Sequence, residues 1–223
     1  MTRTYEELPG LMTAMTGDEK HGPSATSTLD VLWVLYDRVL RVSPGTVGDP
    51  GREAVPAVQG ARAGGVLRGA GGEGLYPGVV AGRVRLGGSR LGYHPDRNLI
   101  PGVEIGSGSL GRGLPLGVGV AHGLIARHLL TPRVFVLVGD AELDEGSNNE
   151  AIVYAGAVGP PSLTVVAVDN QSSSYGWGAG GIEAHFAVSG WSVTRVDGRD
   201  HAALASASAE APRLVVATVE GKA

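Results

Sequence analysis

From Leu114 onward the chain alternates short apolar runs with longer stretches of helical spacing, a pattern that leaves room for little except a parallel sheet. The runs are Arg133–Val138 (RVFVLV), Ser162–Asp169 (SLTVVAVD), Ser192–Val196 (SVTRV) and Leu214–Val219 (LVVATV). Between and before them lie predicted helices over Leu114–Leu130, from the polar residues after Asp140 to Val158, over Ile182–Ser189 and over His201–Ala209. Parallel strands need crossovers long enough to hold a helix, and those helices cover both faces of the sheet. Such strands therefore read as nearly continuous valine-rich runs, as these do, and the fold class is α/β. In open sheets of this kind ligands bind at the carboxyl ends of the strands. Two of the runs break off there in oxygen-bearing side chains, Gly139-Asp140 and Asp169-Asn170.

The first half is less regular. Val31, Leu32, Leu35 and Val39 recur at helical spacing and predict a helix over Thr28–Val42, capped by Ser27 or Thr28. Ser43–Asp49 is a turn-rich stop. Gly51–Gly88 has a weak, glycine-rich pattern that supports one short helix near Ala61–Arg68. The reading is one domain over residues 1–223, with a helical and irregular part over about residues 1–90. At 43% hydrophobic, the 223 residues suffice to build one buried core.

Composition removes several function classes. A net charge of −4 gives no basic excess for nucleic acid or for an anionic membrane. The absence of cysteine excludes disulfides, iron–sulfur clusters and thiolate zinc sites, and fits a reducing cytoplasm. Met1–Asp18 has no signal-peptide core, and no run approaches the roughly 20 apolar residues that span a bilayer. The expected partners are small molecules or protein. With 37 glycines, single glycines carry no argument outside motifs.

Asp140 offers a carboxylate and Asn170 an amide oxygen, both hard donors suited to Mg2+ or Ca2+. Magnesium takes few protein ligands and completes its shell with phosphate oxygens and water. The stretch GDAELDEGSNNEA also opens a helix, whose free amides and positive dipole end favour a nearby phosphate. Asp and Asn commonly follow strands merely as turn and capping residues, and for either alone that would be the better reading. Both together, at corresponding ends of consecutive strands, point to a metal–phosphate site.

GDAELDEG, followed 30 residues after Asp140 by Asn170 in VAVDNQS, resembles the thiamine-diphosphate motif of the transketolase family, with Ala141 where that motif has a glycine. HGPSATSTLDVLWVLY resembles the family's opening, LGYHPDRNLIPGVEIGSGSLGRGL its GHPD…PGVE…TGSLGQGL stretch, and RLVVATVEGK its closing strand. The resemblance covers about Lys20–Lys222 in the correct order. It implies a three-layer parallel-sheet thiamine-diphosphate-binding fold.

Residue by residue, the resemblance implies that Asp140, Asn170 and the backbone carbonyl of Ser172 hold Mg2+, or Ca2+. It implies that Gly139 and Ala141 line the diphosphate, and that Gly108, Ser109 and Leu110 approach the aminopyrimidine by backbone. Glu145 matches a glutamate at the subunit boundary that links two active sites. His94 matches a histidine that contacts the donor ketose, and His21 a second histidine on the substrate side. The structural alternatives are a tight turn over Gly108–Gly113, a helix-terminal carboxylate at Glu145, and exposed loop histidines at His21 and His94. His122, His128, His185 and His201 have no supporting context.

Two departures bear on function. The family's SKGHA histidine is replaced by Ala61 in VQGARA, and a further histidine loop is missing after Lys222-Ala223. The family's pyrimidine-binding domain, with the glutamate that activates the cofactor, has no room in 223 residues. The resemblance therefore implies the N-terminal subunit of a split transketolase, paired with a separate C-terminal subunit in a heterotetramer. The implied reaction moves a two-carbon ketol unit from a ketose, phosphorylated as a sugar phosphate, to an acceptor, with a specialised substrate in secondary metabolism. Two other readings stay open: the α subunit of a 2-oxoacid dehydrogenase-like pair, and a degenerate subunit that only scaffolds its partner.

Overall fold

The structure, a computed structural model, describes residues 4–8, 26–46, 48–49, 51–53, 94, 96–99, 103–106, 108–209 and 213–220. The expected helix over Ala61–Arg68, Ala61 itself and His21 lie outside the described residues. Among the described residues, four strands form one parallel sheet: β1 (Val134–Gly139), β2 (Leu163–Asp169), β3 (Val193–Asp197) and β4 (Arg213–Thr218), in the order β1-β2-β4-β3. The helices are α1 (Leu29–Val34), α2 (Gly113–Ala126), α3 (Gly146–Val158), α4 (Gly181–Ala187) and α5 (His201–Ser208).

The strands' side chains alternate between two apolar clusters, one on each face. Phe135, Leu137, Val166, Val168, Val215 and Ala217 pack with α1 and α5. Val134, Val136, Val138, Val165, Ala167 and Val216 pack with α2, α3 and α4. This is the expected three-layer arrangement, with a central sheet fully buried on β1 and nearly so on β2. Gly117 lets α2 lie directly on β1, because a Cβ there would fall 2.2 Å from Val136 Cγ2.

The helix ends show where sequence periodicity is overruled. The expected Thr28–Val42 helix passes after Val34 into a π-helical turn, Leu35–Val39, and Leu40 is extended. Leu40 N–H closes that turn on Leu35 O at 2.8 Å, and Arg41 N–H is captured by Glu53 Oε2 at 2.6 Å instead of continuing the helix. No side-chain cap forms at Thr28, which is itself in a right-handed helical conformation. The expected Leu114–Leu130 helix stops at Ala126. His128 turns left-handed with φ 57°, and the N–H groups of His128 and Leu129 bond back to Ile125 and Leu124, closing the helix in a Schellman motif.

A partly buried ion pair ties the irregular region to the sheet. Arg133 Nε donates to Glu53 Oε1 at 2.7 Å and Nη2 to Val39 O at 2.7 Å, with the guanidinium over the Phe135 ring. Among the described residues, no helix is long and apolar enough to cross a membrane.

Candidate cofactor site

In the β1–β2 register Gly139 lies opposite Val168, so the two chains leave the sheet side by side. Asp140 N–H still bonds Val168 O at 3.0 Å, and Val219 N–H bonds Asp169 O at 3.0 Å. Asp140 and Asn170 are both fully buried at this edge. Gln171 then takes φ 57°, unusual for a residue with a side chain, and this sharp turn sends three successive serines back toward β1.

The returning loop closes on Asp140. Oδ1 of Asp140 accepts from Ser172 Oγ at 2.6 Å and from its neighbour Ala141 N–H at 2.8 Å. Oδ2 accepts from the N–H groups of Ser172 and Ser173, at 2.6 and 3.1 Å. Asp144 continues the clamp, accepting from Ser173 Oγ and Ser174 N–H, each at 2.7 Å. Nothing in local periodicity marks this role for the serine triplet.

Asn170 is held at one end only. Its Nδ2 donates to Ser27 Oγ at 3.1 Å, whereas its buried Oδ1 has no hydrogen-bond partner. A buried acceptor without a partner is costly, and a cation is one group that satisfies it. One carboxylate and one amide oxygen at adjacent strand ends form a hard donor set that fits Mg2+ or Ca2+. Ser172 lies against Asp140, and its bonds there use its N–H and hydroxyl. Ala141 has φ −66° and ψ −28°, an ordinary right-handed conformation, so the methyl in place of glycine brings no backbone strain.

The expected helix opening is displaced. A 3-10 turn, Glu142–Asp144, follows Asp140, and α3 begins only at Gly146 with Glu145 at its N-terminus. The glycine turn docks on this point: Ser147 Oγ donates to Gly111 O at 2.6 Å, and a Cβ on Gly111 would fall 2.7 Å from Glu145 Cβ. Gly108, Ser109 and Leu110 are exposed, and Glu145 is exposed beside them. His94 lies against Gly108, whose φ is +129° and where a Cβ would fall 3.2 Å from His94 Cδ2. Residues 94, 108–110 and 145 thus share one rim, while Asp140 and Asn170 lie buried at the strand ends.

Sequence reading missed Glu142. It is fully buried, with Asn148 Nδ2 donating to its backbone carbonyl at 2.6 Å. Burial pushes its carboxyl up to about 7; the amides of Gly113 and Gly111 oppose this and Glu145 adds to it. Those amides lie near without well-formed hydrogen bonds, and both carboxyl oxygens lack a partner. Arg195 was missed too. It joins Glu183 of α4, Asp169 at the end of β2 (2.9 Å) and Thr218 of β4 (2.5 Å), bracing the strand that carries Asn170.

Residues 83–217 match the family described as transketolase, thiamine diphosphate binding domain. The chain belongs to the transketolase family. It is 42% identical over 97% of its length to ferredoxin fas2 of Rhodococcoides fascians, covering 72% of that protein. It is 32% identical over 74% of its length to an apulose-4-phosphate transketolase subunit of Actinobacillus succinogenes, covering 64% of that relative. The solved transketolase from Leishmania mexicana superposes on 98% of the chain with a TM-score of 0.72 at 21% identity, a likeness of fold. The chain spans 37% of that transketolase.

Proposed function

We propose that this chain is the thiamine-diphosphate-binding subunit of a two-component, Mg2+-dependent transketolase that moves a two-carbon ketol unit from a ketose phosphate to an acceptor. The observation that carries the reading is the buried pair at the β1 and β2 ends, Asp140 in its serine clamp and the unpartnered Oδ1 of Asn170. When bound, thiamine diphosphate supplies the carbon nucleophile that takes up the ketol unit; the chain supplies binding and orientation.

Asp140, Asn170 and the Ser172 backbone would hold the metal that anchors the diphosphate, with Gly139 and Ala141 beside it. The backbone of Gly108, Ser109 and Leu110 would face the aminopyrimidine. His94, on the same rim, would hydrogen-bond the donor's oxygen and orient its carbonyl. His21 is proposed as a second donor contact. Glu145 would meet the partner and link paired active sites.

The partner would be a C-terminal subunit carrying the pyrimidine-binding domain, in a heterotetramer. One relative is itself named as a subunit of a transketolase, which supports this. So do exposed apolar side chains on two neighbouring helices, Leu116 and Val120 of α2 and Val153, Tyr154 and Val158 of α3. The two helices pack against each other, with the His122 and Tyr154 rings 5.4 Å apart. Such a patch marks an interaction surface, and its closure would exclude water from the cofactor.

The family match favours ketol transfer over acyl transfer from a 2-oxoacid. The ferredoxin relative's name suggests iron–sulfur chemistry, but this chain has no cysteine thiolate to hold a cluster. The test is reconstitution with a partner carrying the pyrimidine-binding domain. Thiamine-diphosphate-dependent consumption of a ketose phosphate is expected, lost in Asp140→Ala. Turnover of a 2-oxoacid instead would overturn the substrate assignment, and a complex that binds no cofactor would leave only a scaffold.

A further inference from the structure

We propose that Ser27 is a positioning residue for the metal site, committing the amide oxygen of Asn170 to the cation. This deepens the cofactor reading above and rests on it. An asparagine presents an oxygen and an NH2 group of nearly the same shape, and only the oxygen ligates a hard cation. Something must therefore set which end points at the metal. Nδ2 of Asn170 donates to Ser27 Oγ at 3.1 Å, and both residues are buried. The same bond leaves Oδ1 buried, without a partner, on a residue directly beyond the β2 strand end. Rotating the amide would turn two protons toward the cation and away from the serine.

The serine sits where it can do this because of how α1 is held. Ser27 stands three residues before Asp30, just ahead of α1. Asp30 is buried and bonded to Arg199 and to His201 Nε2 (2.8 Å), both on the segment following β3. That clasp fixes the start of α1 to the carboxyl end of the sheet, and with it the Ser27 hydroxyl 143 residues away in sequence from the amide it meets. Ser27 was expected as a helix cap; no cap is made at Thr28, and the Ser27 hydroxyl faces Asn170 instead.

Outer-shell partners of metal ligands typically govern about 10–100-fold in metal affinity. The test uses the full chain, alone and with its partner subunit, titrated with Mn2+ in the presence of thiamine diphosphate, with free Mn2+ read by electron paramagnetic resonance. Ser27→Ala should weaken Mn2+ binding about tenfold or more. Ser27→Thr, which keeps the hydroxyl, should bind close to wild type, a rescue that loss of packing alone would not give. Ser27→Cys keeps the volume with a weak acceptor and should show most of the loss, which covers the case of an unfolded alanine variant. Asp140→Ala should lose binding outright. Ser27→Ala and Ser27→Cys binding like wild type, with Asp140→Ala defective, would overturn the role of Ser27 and leave the cofactor site standing. If wild type fails to bind Mn2+, or Asp140→Ala binds as well as wild type, the site itself falls and Ser27 with it.

Discussion

Asp30→Ala should cost the fold about 3 kcal/mol. Its side chain is 3% exposed and holds the partly exposed Arg199 and His201 in one cluster. Burial alone would raise the Asp30 carboxyl; hydrogen bonds from Tyr5, His201 and Arg199 outweigh it and hold it below its ordinary value of 3.8. Removing one partner of a buried ion pair typically costs ~3–5 kcal/mol. The low end applies here, because the Arg199 side chain is 36% exposed, with Glu220 at 3.7 Å, and can rehydrate. Urea unfolding of wild type, Asp30→Ala, Arg199→Ala and the double variant at pH 7 measures both the loss and the coupling. The coupling should exceed about 1 kcal/mol, as for hydrogen bonds to charged groups. A depressed carboxyl contributes stability above its unfolded value and loses it as pH falls through the lower folded one. The gap between wild type and Asp30→Ala should therefore close as pH drops below 3.8. A loss under about 1 kcal/mol at pH 7, or strict additivity with Arg199→Ala, would refute the argument that this buried carboxylate is a clasp.

Glu142 predicts the opposite pH dependence. Its folded carboxyl lies at about 7 against an ordinary 4.5. Between those values the folded chain keeps a proton that the unfolded chain has lost, so stability falls as pH rises across that window, by about 3 kcal/mol in total. Metal-free Glu142→Gln, compared with wild type by urea unfolding, should lack that slope; parallel profiles would remove the effect of burial. Gln171 holds φ 57°. Gln171→Gly should stay within about 0.5 kcal/mol of wild type, while Gln171→Val should lose at least about 1 kcal/mol because a β-branched residue resists that conformation; thermal melts decide. Val153 is 60% exposed on α3. Val153→Asp should leave the melt of the isolated chain unchanged within about 0.5 kcal/mol and abolish association with the partner on gel filtration.

The runs of β1 and β2 were legible because a parallel strand buried on both faces is almost wholly apolar. Residues 134–139 and 163–169 follow directly from that constraint. Helix ends were less legible. Leu40 and His128 stop their helices through bonds to Glu53-held backbone and through a left-handed turn, neither of which periodicity registers. Asp140 and Asn170 were readable as a pair because they close two consecutive strands, and parallel pairing brings such ends together. Glu142 was not, since one carboxylate among the four in GDAELDEG looks like any other until the glycine turn covers it.

Ser27 and Arg195 were invisible for a deeper reason. Each acts across elements far apart in sequence, Ser27 on Asn170 and Arg195 on Asp169, so their meaning lies in strand order rather than in local pattern. Strand order 1-2-4-3 places β4 between β2 and β3, and Arg195 of β3 reaches past it to Asp169 at the end of β2. The ends of β2 and β4 are thereby braced from one side, while Ser27, just ahead of α1, meets Asn170. On the proposed reading, a ligand fixed by Ser27 and carried on a braced strand end would lose little further freedom on coordination, which is how positioning residues raise affinity without touching the ion. The motif that contains Asn170 includes neither Ser27, which meets its amide, nor Arg195, which braces its strand.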